Sequence, residues 1–390
     1  MSTLLDYIKR SQFDSIYDYP LNALDLLALT ELSYLPFADL VTSSFWVEKG
    51  IRIDHLAKQF AQLYSDGFPP LSMITKNRLS LLTLMAESKR FKYFKAFAYA
   101  DDYSLDQQKQ FAAISFSIHR NLTVTSFRGT DDSLIGWKED FHMTYLAEIP
   151  AQKAACHYLT LLMTTVKGDF YVTGHSKGGN LALYSSSFLS PDLQKRLINI
   201  FAYDAPGLHQ SVIQSQGYLN ILDKIKTIIP QNSIVGLMLQ PPPNAQIVQS
   251  KTIGLLQHIS FSWEIEDNDF KLASGLTDNS LQTDQTLKTW TDSLTDQELK
   301  DFFDLFFGIF IQAGIYRFSD LTVHTPHKIK QIVRNRRNLQ AKEQEIINKL
   351  ISLLIDTRYQ VWKESLSQLF PNPHAKLEEW WQHFRKEHQK

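Results

Sequence analysis

Asp169-Phe170-Tyr171-Val172-Thr173-Gly174-His175-Ser176-Lys177-Gly178-Gly179-Asn180-Leu181-Ala182-Leu183-Tyr184 is the stretch on which the fold of this chain turns. A short β-prone run ends in Gly-His-Ser-Lys-Gly, and an apolar pattern compatible with a helix follows at once. This is a G-x-S-x-G nucleophile elbow in its required setting, strand before and helix after. A serine in so tight a turn leaves no room for side chains two positions to either side, so Gly174 and Gly178 are the residue type the turn needs. Ser176 then presents its hydroxyl above the sheet, at the positive end of the following helix. A phosphate-binding glycine turn is the competing explanation, but neither G-x-G-x-x-G nor a Walker pattern is present.

Outward from this turn, strands alternate with helices. Phe111 to Ile118 reads as a strand, His119-Arg120-Asn121 turns the chain, and Leu122 to Phe127 returns. That second strand runs into Arg128-Gly129-Thr130-Asp131-Asp132, followed by Trp137 and Asp140. A helix over Ala151 to Val166 precedes the elbow, and another over Gly178 to Leu189 follows it. Ile198 to Tyr203, Lys226 to Ile229 and Gln246 to Ser250 are further strands. The alternation predicts an α/β fold with a mostly parallel sheet covered on both faces, reactive groups gathering at the carboxyl ends of its strands.

Residues 1–90 read as a helical layer that packs on this sheet. Asn22 caps a helix through Leu26, Leu27, Leu29 and Leu32, with Asp25 at its third position. Pro69-Pro70 breaks the next segment, and Lys76 to Ser88 is a further helix. After Trp263 the chain turns polar, with 11 acidic and 3 basic residues between Glu264 and Asp304. Thr295-Asp296-Gln297-Glu298 is a capping box opening a helix through Phe302, Phe303, Phe306 and Phe307. Long helical patterns run from His327 to Leu369, and Pro371 and Pro373 divide them from a last helix. The expected division is therefore an α/β domain over 1–284 and a helical appendage of about three helices over 285–390.

With 44% hydrophobic residues and 12% aromatics in 390 residues, the chain has ample material for a core. A formal charge of −1 gives no reason to expect a nucleic-acid partner. Arg334, Arg336 and Arg337, with Trp380 and Trp381, suit an amphipathic helix docking on the α/β domain or on an anionic membrane surface. Packing is the simpler of the two. Cys156 is the single cysteine, so no intrachain disulfide forms. No secretory h-region opens the chain, and the apolar run Phe302 to Ile315 is too short to span a bilayer. A soluble, cytoplasmic protein is expected. Neither a His-Glu-x-x-His, a cysteine cluster nor an acidic calcium loop is present, so neither metal nor cofactor is expected.

A serine nucleophile needs a base, an acid to orient the base, and donors for an oxyanion. In the α/β-hydrolase fold these follow in the chain order Ser, acid, His. Asp204, at the end of the strand Ile198 to Tyr203, is the acid. His258, in the loop after the last strand, is the base. His209 lies too close behind Asp204, and the histidines past residue 320 fall in the appendage. The Lys177 N–H is one oxyanion donor. Thr130 supplies the other, through its backbone N–H and its hydroxyl. Arg128 is expected to pair with an internal carboxylate such as Asp140 and hold the oxyanion turn, with Trp137 as a packing anchor.

Phe127-Arg128-Gly129-Thr130, then Trp137 and Asp140, then Gly-His-Ser-x-Gly, resembles the lipase class 3 family of α/β-hydrolases. The whole chain, with its helical C-terminal part, is most similar to a bacterial branch of the domain-of-unknown-function type. The resemblance covers roughly residues 20–270 by specific motifs. It implies an oxyanion donor at Thr130, the nucleophile at Ser176, and a lid over the site formed, loosely, by Asp131–Trp137. One departure stands out. The family's acid follows the next strand, and here Ile229-Pro230-Gln231-Asn232-Ser233-Ile234-Val235 holds no carboxylate. Asp204, one strand earlier, resembles the acid of pancreatic-type lipases instead, with Asn232 or Gln231 as weaker substitutes. The expectation is a serine ester hydrolase acting on a small acyl-ester or lipid-like substrate. The rival is a catalytically weak or retired scaffold that binds a ligand or protein, and a peptidase or thioesterase would share the same site.

Overall fold

The computed structural model describes residues 2–316, apart from 66, 68–73, 105, 132 and 253. Eight strands lie side by side in chain order: β1 (Ile51–Arg52), β2 (Lys95–Ser104), β3 (Lys109–His119), β4 (Leu122–Phe127), β5 (Asp169–His175), β6 (Leu197–Tyr203), β7 (Ile225–Pro230) and β8 (Gln246–Val248). Neighbours from β1 to β4 are antiparallel, and those from β4 to β8 are parallel. The cause is local. The turn after His119 can only reverse the chain, whereas each later strand follows a crossover long enough to bring it back parallel.

Helices cover both faces. α1 (Leu4–Ser11), α2 (Ala23–Leu32), α3 (Ile53–Leu63) and α4 (Thr75–Glu87) form one layer. Their apolar residues share a core with Phe116, Val124, Tyr203, Ile228 and Trp263. α2 begins at the expected cap: Asn22 Oδ1 accepts from Leu24 N and Asp25 N, and Asp25 returns the bond to Asn22 N. This helix is apolar nearly all round and buried from Leu24 to Leu32, so two carboxylates go inside with it. Asp25 is held by Arg90 and Glu31 by Arg78.

α5 (Leu134–His142) follows β4, and α6 (Pro150–Thr165) and α7 (Lys177–Ser187) flank the elbow. α6 and α7 bury Ala155, Leu159, Leu162, Leu181 and Leu183 against Phe127, Val172, Ile200 and Ala202. Short helices α8 (Pro191–Gln194), α9 (Gln210–Ile213) and α10 (Gln216–Leu219) fill later crossovers, and a small hairpin, β9 (Ile265–Glu266) and β10 (Asp269–Phe270), follows His258.

α11 (Asp278–Asp292) and α12 (Asp296–Gln312) close the described part of the chain. Thr295 and Glu298 form the expected capping box. The Phe-rich face of α12 packs on α5, with Phe141 stacked on Phe303 at 4.6 Å and Trp137 against the same cluster. Residues 284 and 285 both lie within α11. The helical patterns from His327 onward, with Arg334, Arg336, Arg337, Trp380 and Trp381, lie outside the described residues.

The result is a mostly parallel, helix-covered sheet of the α/β-hydrolase type, with the ends of β4, β5 and β6 adjacent in it. Phe127 pairs with Gly174 and His175 with Tyr203, so the chain leaves all three strands at one edge. No helix among the described residues is long and apolar enough to cross a membrane.

Candidate active site

Ser176 sits between β5 and α7 with φ 58° and ψ −135°, a conformation that a non-glycine residue rarely adopts. Strain of this kind costs on the order of 1–3 kcal/mol and must be held by its surroundings. Ser176 N–H donates to Tyr203 O at 2.9 Å, and Ser176 O accepts from Gly179 N–H at 2.9 Å. A Cβ on Gly174 would run into the Gly178 backbone, and one on Gly178 would run into the Phe127 carbonyl. The spacing of the glycines is therefore steric, as the sequence implies.

Asp204 follows β6 directly, also at positive φ (40°), and is 1% exposed. Its N–H donates to Ile228 O at 2.8 Å. Both carboxylate oxygens are engaged. Oδ1 accepts from the Ser233 hydroxyl and from Gly236 N–H, the latter at 3.1 Å. Oδ2 accepts from His258 Nδ1 at 2.6 Å. That bond puts the proton on Nδ1 and leaves the lone pair on Nε2, the tautomer a general base requires. Asn232 takes no part, since its Oδ1 accepts from Thr277 and its N–H donates to Gln257.

The turn after β4 lies against the serine, for a Cβ on Gly129 would stand 3.0 Å from the Ser176 Cβ. The Thr130 hydroxyl does not point to an oxyanion. It donates to Asp140 Oδ2 at 2.6 Å, so the backbone N–H is the donor that remains at this residue. Among the described residues the N–H groups of Thr130 and Lys177 have no protein acceptor.

The expected Arg128–Asp140 pair is not formed. Arg128 grips Asp101 with two bonds, 2.7 and 3.0 Å. The register explains this: Ala112 of β3 pairs with Asp101 of β2 and accepts the Arg128 N–H from beyond β4, so the two side chains flank one residue. Asp140 belongs to a second cluster. Lys177, fully buried, donates to Glu139 Oε2 at 2.9 Å and to Gln110 Oε1 at 3.3 Å, and stands 3.6 Å from Asp140 Oδ1. Burial opposes the Lys177 charge, yet Asp140 and Glu139 hold its pKa above the ordinary lysine value. Burial pushes the Asp140 carboxyl up to about 6 despite Lys177 and Thr130.

Residues with no assigned role in the sequence reading also hold the segments around the site. His175 is 5% exposed, and burial together with neighbouring His258 pushes its pKa down to about 3. Its signal was inside the quoted stretch, where it passed as a spacer of the motif. Glu31 and Tyr34 close the apolar run of α2, and a carboxylate inside such a run was the visible sign that something pairs with it. Asp101 lies on β2, a strand that the sequence reading did not place. Among the described residues, no cluster of His, Cys, Asp and Glu is arranged to hold a metal ion.

A family model described as Mbeg1-like, a lipase-class-3-like family, matches residues 85–308. That span runs from the end of α4 through the elbow, Asp204 and His258 into α12. No curated protein matches the chain. A solved structure described as "Crystal structure of M37 lipase" is 14% identical, covering 54% of this chain and 68% of that one, with a TM-score of 0.33. Family and fold together suggest a hydrolase.

Proposed function

The chain belongs to the Mbeg1-like family, and on that footing we propose that it is a serine hydrolase cleaving carboxylic esters of lipid-like acyl groups. The observation that carries the reading is the strained Ser176 of the elbow together with a His258–Asp204 hydrogen bond of 2.6 Å, the His258 ring lying 4.5 Å from that of His175, the residue before the serine. Ser176 Oγ attacks the acyl carbon while its proton passes to His258 Nε2, and the carbonyl electron pair moves onto oxygen. The Thr130 and Lys177 N–H groups receive that oxyanion. Collapse expels the alcohol, which leaves with the proton from His258 and an acyl-serine behind. Water enters by the same route, and the acid departs. Asp204 stays ionised throughout, fixing the tautomer of His258 and balancing its transient charge.

The test is labelling by a fluorophosphonate probe, wild type against Ser176→Ala, beside esters, thioesters and peptides of graded acyl length. Labelling lost in the variant, with turnover of esters above the other classes, supports the reading. Turnover confined to thioesters or peptides would change the substrate class and keep the site. A folded wild type that takes no probe would leave a binding scaffold in place of an enzyme.

A further inference from the structure

We infer that Tyr34 and His175 are positioning residues that lock the oxyanion turn and the His258 loop to one another. The inference rests on the hydrolase reading and deepens it. Gly129 N–H donates to the Tyr34 hydroxyl at 3.2 Å, and that hydroxyl lies 3.1 Å from His175 Nδ1. On its far side, His175 Nε2 is 2.8 Å from the His258 carbonyl oxygen. A carbonyl only accepts, so Nε2 carries the imidazole proton. Nδ1 is then the acceptor, and the Tyr34 hydroxyl gives its proton there. The same hydroxyl stands 3.4 Å from the His175 carbonyl oxygen, a longer second acceptor on the same residue, so both of its contacts join the Gly129 turn to His175. The His175 ring also lies 4.5 Å from the His258 ring, centroid to centroid.

The end of α2 grips the same loop a second time. Glu31 Oε1 accepts from Ser260 at 2.6 Å, and Oε2 accepts from Arg78 at 2.8 Å. The Arg78 guanidinium in turn lies 3.7 Å from the centre of the Tyr34 ring. The loop carrying His258 is thus tied at its carbonyl and two residues later, both times through groups at the end of α2. Gln257 anchors the same loop to Asn232, Thr252 and Trp263, but the single bond to Asp204 leaves the imidazole free to swing about it, and the ties from α2 are the ones that reach the His258 carbonyl and Ser260. Misplacement by about 1 Å is enough to cost on the order of 100-fold in rate.

The experiment compares wild type, Tyr34→Phe, His175→Leu and His175→Gln. Rates of fluorophosphonate labelling and of ester turnover are normalised to sites counted by the acyl burst, so unfolded protein does not enter the rate. Tyr34→Phe is expected to lower kcat about 3- to 10-fold and His175→Leu about 100-fold, both with KM nearly unchanged. Gln can keep a donor toward the His258 carbonyl, so His175→Gln recovers to within about 5-fold of wild type. A residue that only stabilises the fold would lower the count of sites and leave the rate per site alone. Wild-type rates per site in Tyr34→Phe and His175→Leu would overturn the inference, and Tyr34→Phe with His175→Gln decides it if His175→Leu does not fold. Wild type that takes no probe would instead sink the hydrolase reading, and the positioning role with it.

Discussion

Asp204 has more hydrogen bonds than a turn residue needs. The Ser233 hydroxyl and Gly236 N–H occupy one oxygen and His258 the other, at 1% exposure. Asp204→Asn keeps the shape but presents an amide that can turn either face to the imidazole, so the wrong tautomer becomes accessible. We predict a loss of about 10³- to 10⁴-fold in kcat with KM held, read from steady-state ester hydrolysis. Asn232→Asp in that background restores nothing, because residue 232 faces Thr277. Two other side chains set opposite responses to acid. His175 is held neutral down to about 3, while the unfolded chain protonates it near the ordinary histidine value. Its contribution to stability is therefore present above about pH 6.5 and is lost as pH falls toward 3. Asp140, raised to about 6, runs the other way: its contribution is full below its ordinary value and lost as pH rises through 6. Urea unfolding across pH 4 to 6.5 should show a shallower acid loss in His175→Gln and a steeper one in Asp140→Asn. Slopes equal to wild type in both would refute the assignment.

Among the elements, α5 links the turn after β4 to α12. Its inner face delivers Glu139 and Asp140 to Lys177 and Thr130, and its outer face is covered by α12 through Phe141 and Phe303. Phe303→Ala, at a site 1% exposed, should destabilise by about 3–5 kcal/mol in denaturant titration and lower the ester rate with it. Leu305→Ala, 41% exposed on the same helix, should change neither. The elements also mark where sequence stops being legible. β5, the elbow and α7 could be read because strand, turn chemistry and helix sit within one short window. The caps of α2 and α12 were equally local. β2 was not placed, because its first half is buried and its second half is solvent-facing, so no single period runs through it. Missing β2 removed Asp101 from view, and Arg128 was matched to the wrong carboxylate. The site followed the same rule. Chain order puts Asp204 and His258 forward together, and the two are hydrogen-bonded in the structure, whereas Glu31 and Tyr34 come from the end of α2 and the turn beyond it, where the sequence announces only an apolar helix.

Across the whole molecule, the N-terminal layer is fastened by buried charge as well as by apolar contact. Arg90 and Asp25 are 2% and 0% exposed and meet at 2.5 Å, and Arg78 meets Glu31 at 2.8 Å. Removing one member leaves the other charged and without water. Asp25→Ala should cost about 3–5 kcal/mol in equilibrium unfolding, while an Asp192→Ala change, in a pair on the open surface, should cost next to nothing.

The bond between Ser260 and Glu31 spans 229 residues of chain, and the one from Tyr34 to His175 spans 141. During synthesis the ribosome therefore releases the α2 clamp first, the strained Ser176 midway, and His258 last. Until residue 260 has cleared the exit tunnel, the growing polypeptide exposes a serine with neither proton acceptor nor fixed geometry. If the proposed hydrolase reading holds, the order of manufacture leaves every incomplete copy without its general base.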